Sequence, residues 1–211
     1  MKRSATMPAR LPSSQLGFSL VELVLSVAVL LIVTVMAVPV IVRSLQSYQL
    51  NSTASQAAGI LKFAKFEAIR QNTPVSAQVQ QQGTAWLVWV DSNGNGLADG
   101  AEPRMIVGGG FTLLSAATVP STSSIASTLG AENGMAWTVV SGNGAEWYDH
   151  RGVLCFQGLP TACPPGPATI YALFIGNPND PTAGYRAIIT LPSGAVQVWS
   201  SSSAGPWQRV S

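Results

Sequence analysis

Residues 17–42 read GFSLVELVLSVAVLLIVTVMAVPVIV, and no other stretch constrains the chain as strongly. From Leu23 to Val42 there are 20 residues without a charge, the length at which an α-helix crosses the hydrocarbon core of a bilayer. A backbone placed there must satisfy its own polar groups, which makes a helix the form this segment takes. One carboxylate, Glu22, stands near its start. An ionised carboxylate in such a run costs about 2.5–3.5 kcal/mol on insertion scales, so its presence points to a role and to a partner. An ordinary secretory signal has an apolar core of about 7–15 residues and then a small-x-small site. Here the run is longer, and VPVIVRSLQ continues without such a site. A generic single-span anchor explains the length but neither Gly17-Phe18 nor Glu22.

Charge sets the orientation. The formal net charge is +2, but Lys2, Arg3 and Arg10 precede the apolar run in a stretch without acids. The basic end stays on the cytoplasmic side, sending the C-terminal bulk outward. Only 9% of the residues are charged, against about 25% in a typical soluble domain. The roughly 140 residues after the anchor are enough for one globular domain with its own core. Cys155 and Cys163 enclose seven residues including Pro160. On the exported side of a membrane that spacing favours a disulfide over two free thiols, with a loop-entropy contribution of roughly 2.5 kcal/mol.

The periodicity changes twice. Pro39 falls inside the apolar helix and is expected to kink or loosen it. Beyond Arg43 the pattern becomes amphipathic, with Ile41, Leu45, Tyr48, Ile60, Leu61, Ala64, Ala68 and Ile69 on an apolar stripe expected to pack on a domain and polar residues elsewhere, and it stops at Asn72-Thr73-Pro74. The expected organisation is a leader over 1–17, a transmembrane helix over 18–42, its amphipathic continuation over 43–72 and a β domain over 73–211. After Pro74 the period switches to two. Val75–Gln82 and Ala85–Asp91 form the first hairpin candidate, and Gly/Pro-punctuated strand patterns follow to Ser200. Residues 116–134 are Ser/Thr/Ala-rich and read as a mobile surface loop. A helix followed by strands gives an α+β fold class, with the long N-terminal helix packed on an antiparallel β-sheet.

Three clusters carry residue types that bear on chemistry. Asp91, Asn93, Asn95, Asp99 and Glu102 have the spacing of a twelve-residue calcium loop, with Gly96 at its sixth position. The flanks read as strands, and Asn-Gly repeats are equally strong turn signals, so a plain hairpin turn carries more weight than calcium. His150, the single histidine, lies in Tyr148-Asp149-His150-Arg151-Gly152, without a nucleophile context. A turn explains it, and an enzyme is not expected. The six tryptophans sit in strand-like segments and read as core rather than as platforms for bases.

The N-terminal segment resembles the class III signal of type IV pilins and type II secretion pseudopilins. The resemblance implies cleavage by a prepilin peptidase after Gly17, N-methylation of Phe18, and a subunit-assembly role for Glu22, the fifth residue of the mature chain. Leu16 departs from the charged, polar or small residue more usual there. Further on, FAKFEAIRQNTPVSAQV, LVWVDSNGNGLADGAEPRMI, EWYDHRGVLCF and ITLPSGAVQVW occur in the order seen in H-type minor pseudopilins and the related FimT-like minor pilins. This implies a pilin-like, single-pass inner-membrane protein with its C-terminal domain in the periplasm. It would build a filament with other pilins or pseudopilins on an inner-membrane assembly platform, taking part in protein export across the outer membrane. The alternative is a minor pilin of a type IV pilus involved in DNA uptake. Phosphate binding needs clustered Lys/Arg. After Gly152 there are only Arg186 and Arg209, so nucleic acid is not an expected partner, and no cofactor is expected beyond the calcium considered above.

Overall fold

The computed structural model of the chain describes residues 17–130, 135–137, 139–140, 142–155 and 170–210. Two compact units divide the chain between Ile41 and Val42. The long helix α1, Leu20–Gln71, runs through that boundary and continues through Pro39. Its N-terminal part is long and apolar enough to cross a membrane, and none of it is buried. Such a helix needs its hydroxyls satisfied internally. Ser26 Oγ donates to Glu22 O (2.7 Å) and Thr34 Oγ1 to Leu30 O (2.7 Å).

The far end of α1 is closed by local chemistry. Asn72 adopts a left-handed φ of 54°, Asn72 N donates to Ile69 O, and Thr73 N donates to Ala68 O. This pair of bonds is the Schellman arrangement with Asn at the left-handed position, and Pro74 follows where the helix cannot continue.

Within the second unit, β1 (Val75–Gln82), β2 (Ala85–Asp91), β3 (Arg104–Val107), β6 (Val139–Val140), β7 (Asn143–Tyr148) and β8 (Leu154–Cys155) form one sheet. Its order is β3-β2-β1-β7-β6, with β8 also on β7. A second sheet is built from β4 (Thr112–Leu114), β5 (Met135–Trp137), β9 (Ile170–Gly176), β10 (Tyr185–Thr190), β11 (Val196–Ser201) and β12 (Gln208–Arg209), ordered β12-β11-β10-β9-β4 with β5 also on β9. The single antiparallel sheet expected from the sequence is therefore two sheets, and β5 pairs with β9 in parallel.

One core joins the helix to both sheets. Leu50, Ala57, Leu61, Ala64 and Ala68 of α1 pack with Val79, Val88, Tyr148, Ile175, Ile188 and Val198. Alanines dominate the helix's inward face, so the backbone can lie close to the strands. The second sheet is apolar on both faces: Leu173 and Ile175 of β9 face the helix, while Ala172 and Phe174 face a second cluster.

That second cluster corrects the expectation of a mobile loop over 116–134. The segment contains a 3₁₀ turn at Ala116–Thr118 and a short helix α2, Ser123–Leu129. Ile125 of α2 is fully buried with Phe174, Trp199 and Trp207. Trp207 fixes the segment through its backbone N–H to Ser124 Oγ (3.0 Å) and its indole N–H to Pro120 O (3.2 Å). Residues 131–134 lie outside the described residues.

Candidate functional site

The N-terminal site is built from a helix face. Phe18 precedes α1, and Glu22 lies one turn on, beside Leu25, Ser26, Val29, Leu30 and Val33, which line a shallow groove along the helix. Among the described residues the Glu22 carboxylate accepts no hydrogen bond and forms no ion pair. Gly17 is described, and the residues before it are not.

The acidic loop between β2 and β3 is tied into a knot. Asp91, 2% exposed, accepts Asn95 N on Oδ1 (3.1 Å) and Gly96 N on Oδ2 (3.0 Å). Glu102 accepts Ser92 N on Oε1 (2.8 Å) and Asp99 N on Oε2 (3.1 Å). The side-chain amides of Asn93 and Asn95 both donate to Asp99 Oδ2. Their own oxygens accept Asn95 N and Leu97 N. All five candidate ligands are thus brought together, but their oxygens are directed at N–H donors, not at a common centre. Among the described residues no group of three or more His, Cys, Asp or Glu side chains is arranged to hold a metal. The carboxylate oxygens of Asp91 and Glu102 that calcium would take are engaged by backbone N–H groups in this loop.

The remaining candidates are structural. Asp149 accepts Arg151 N and Val153 N on Oδ1 (2.9 and 2.8 Å), and Arg151 Nε donates to Oδ2 (3.0 Å). Burial pushes this carboxyl up, yet the Val153 N–H and the Arg151 contacts outweigh it and hold the group below its ordinary value. His150 is exposed at the tip of the same turn. Cys155 is buried and carries no free thiol. Cys163, its expected partner, lies outside the described residues.

Two features escaped the sequence reading. Arg186 of β10, 6% exposed, donates from Nε to Asn51 Oδ1 (2.5 Å) and from Nη2 to Ser47 Oγ (3.1 Å), tying the second sheet to α1. Its burial lowers its pKa. In addition, the turn at Asp149–Gly152 meets the turn at Pro192–Gly194 beside α1. There Leu154 N donates to Pro192 O (3.0 Å) and Lys65 Nζ to Ser193 O (3.2 Å). Both turns belong to motifs that drew attention in the sequence, but their meeting spans the two sheets.

Two family models match separate parts of the chain. Residues 12–38 match the family model for the prokaryotic N-terminal methylation motif. Residues 53–148 match the model described as type II transport protein GspH. No curated protein matches the chain significantly. Among solved structures, the type IV minor pilin FimU of Pseudomonas aeruginosa is similar at 19% identity and a TM-score of 0.45, covering 75% of this chain and 93% of that one. The methylation motif thus lies across the start of α1, and the region similar to GspH runs from α1 through β7.

Proposed function

We propose that the chain is an H-type minor pseudopilin, a structural subunit of a type II secretion pseudopilus that takes part in protein export across the outer membrane. The observation that supports this reading is the match of residues 53–148 to a family described as a type II transport protein. The chain enters the inner membrane through the first half of α1. It is cut after Gly17 by a prepilin peptidase, methylated on Phe18, and drawn into a periplasmic filament by the assembly platform. Glu22 then meets the amino group of Phe18 on a neighbouring subunit. In a low-dielectric setting a charge left without its partner is costly, so the pair checks register as each subunit adds. Cys155 closes its disulfide with Cys163.

The other reading, a FimT-like minor pilin taking up DNA, gains little from the geometry. Of the two cations after Gly152, Arg186 is engaged with Asn51 and Ser47, leaving Arg209 exposed. Trp207 is buried against Phe174, with ring centroids 5.5 Å apart, and offers no face to a base.

Deleting the gene in its native host tests the assignment. Secreted enzymes should accumulate in the periplasm while pilus-dependent motility and DNA uptake continue. Loss of uptake or motility with normal secretion transfers the protein to the pilus. Intact mass of the membrane form should show a chain beginning at methylated Phe18, and a full-length chain would sink the processing assignment. Glu22→Val should insert normally yet fail to enter filaments; wild-type assembly by that variant refutes the pairing role.

A further inference from the structure

Four asparagines of this chain are followed by glycine: Asn93, Asn95, Asn133 and Asn143. Asn133 lies outside the described residues. In an Asn-Gly peptide the next backbone nitrogen reaches the side-chain carbonyl carbon most easily, because glycine has no Cβ to hinder the approach. The fold gives the other three different surroundings. Asn143 stands in β7, and Gly144 beside it is paired with Val79 of β1 and Val139 of β6, so that backbone is held in the sheet. Asn93 and Asn95 are both exposed in the loop after β2, and their side chains are held alike. Each amide donates to Asp99 Oδ2, at 2.7 and 2.8 Å. Each carbonyl oxygen accepts the backbone N–H two residues on, Asn95 N at 3.0 Å and Leu97 N at 2.7 Å. The backbone nitrogens placed to attack differ. Gly96 N donates to Oδ2 of Asp91 (3.0 Å), a carboxylate 2% exposed, whereas Gly94 N donates to no group among the described residues.

We infer that Asn93 is a site of spontaneous deamidation, and that Asp91 withholds Asn95 from the same reaction by holding Gly96 N. Gly94 N gives its proton to solvent hydroxide and bonds to Asn93 Cγ. Oδ1 takes up the negative charge of the tetrahedral intermediate, and the Asn95 N–H already points at it. The bond from Cγ to Nδ2 then breaks, and Nδ2 leaves as ammonia with a proton from water. Water opens the resulting cyclic imide at either carbonyl, leaving aspartate or isoaspartate at position 93, with no change of oxidation state. The turn that the Asn93 side chain makes with its own backbone keeps the reacting groups close. At Asn95 the same approach first has to break the bond from Gly96 N, leaving Asp91 Oδ2 buried without its donor. The product loosens the loop from within. A carboxylate replaces the amide that met Asp99 Oδ2 at 2.7 Å, so two like charges face each other where a hydrogen bond stood. The acidic loop therefore carries a change that accumulates with the age of the molecule.

The test follows the folded full-length chain in detergent at mildly alkaline pH, locating the mass gain of each amide-to-acid conversion by peptide fragmentation. Asn93 should convert roughly tenfold or more faster than Asn95 and Asn143, giving both aspartate and isoaspartate. In urea the three sites should convert at similar rates, because only the Asn-Gly sequence then acts. Asp91→Ala should bring Asn95 up toward the rate of Asn93 while Asn143, held in the sheet, stays slow. If Asn143 rises as well, the variant has unfolded and the wild-type comparison decides alone. Equal rates at Asn93 and Asn95 in the folded chain overturn the inference, as does an Asn93 that converts no faster than Asn143. A preference for Asn93 that survives unchanged in urea overturns it too, since the folded loop is then not its cause.

Discussion

Gly194→Ala should be among the most damaging single-methyl additions to this fold. Gly194 has a φ of +71°, and a methyl there would lie 2.0 Å from the carbonyl oxygen of Gly152. The left-handed backbone alone costs a non-glycine residue about 1–2 kcal/mol. The overlap must also push the Pro192–Gly194 turn away from the Asp149–Gly152 turn. That movement lengthens the bonds from Leu154 N to Pro192 O and from Lys65 Nζ to Ser193 O. Each is worth about 0.5–1.5 kcal/mol net, with the exposed lysine bond at the lower end. The total is roughly 3 kcal/mol, which corresponds to a fall in melting temperature of about 6–12 °C for a domain of this size. Near-ultraviolet circular dichroism of the detergent-solubilised chain measures it. Gly83→Ala is the control: its φ is +63°, but a methyl there meets nothing within 4 Å. It should show the backbone cost alone, a drop of about 2–8 °C. If the two variants melt within a couple of degrees of each other, the contact between the turns does not hold the sheets together as argued.

Other perturbations separate the remaining roles. Glu67 is held at about 2, from an ordinary value of 4.5, by hydrogen bonds from Arg70 and Gln71. Because the folded value is depressed, its contribution is present above the ordinary value and is lost as pH falls from 4.5 toward 2. Glu67→Gln should flatten that part of the melting profile, and parallel profiles for variant and wild type would contradict it. Asp91→Ala removes a buried acceptor of two backbone N–H groups and should destabilise the domain by about 2–4 kcal/mol in denaturant titration. The wild-type melting temperature should be the same in chelator and in millimolar calcium, and a calcium-dependent rise would restore the ligand reading of the loop. Trp207→Ala should cost about 3–5 kcal/mol and open 116–130 to limited proteolysis; an unchanged cleavage pattern would show that Trp207 does not anchor α2.

What was legible in the sequence was local. The end of α1 could be read at Asn72-Thr73-Pro74 because the chemistry that stops a helix lies within a turn of the stop. The strands could be read because burial on one face imposes period two on consecutive residues. Their division into two sheets could not, since pairing is decided between distant segments: β1 lies beside β7, and β4 beside β9. The short helix α2 was hidden for the same reason. Ser123–Leu129 has weak helix propensity, and the bond that fixes it joins Ser124 to Trp207, 83 residues away. Arg186 finds Asn51 across 135 residues. The acidic loop left two readings open for a different reason. Its spacing matches a cation cage and a hydrogen-bonded turn equally well, because a carboxylate oxygen accepts either a metal or an N–H. What separates them is where the backbone donors of Asn95, Gly96, Ser92 and Asp99 point, and residue types do not encode that direction. Glu22 stands at the opposite extreme: an apolar helix offers it no partner among its neighbours, so the question it poses could be read from the chain alone.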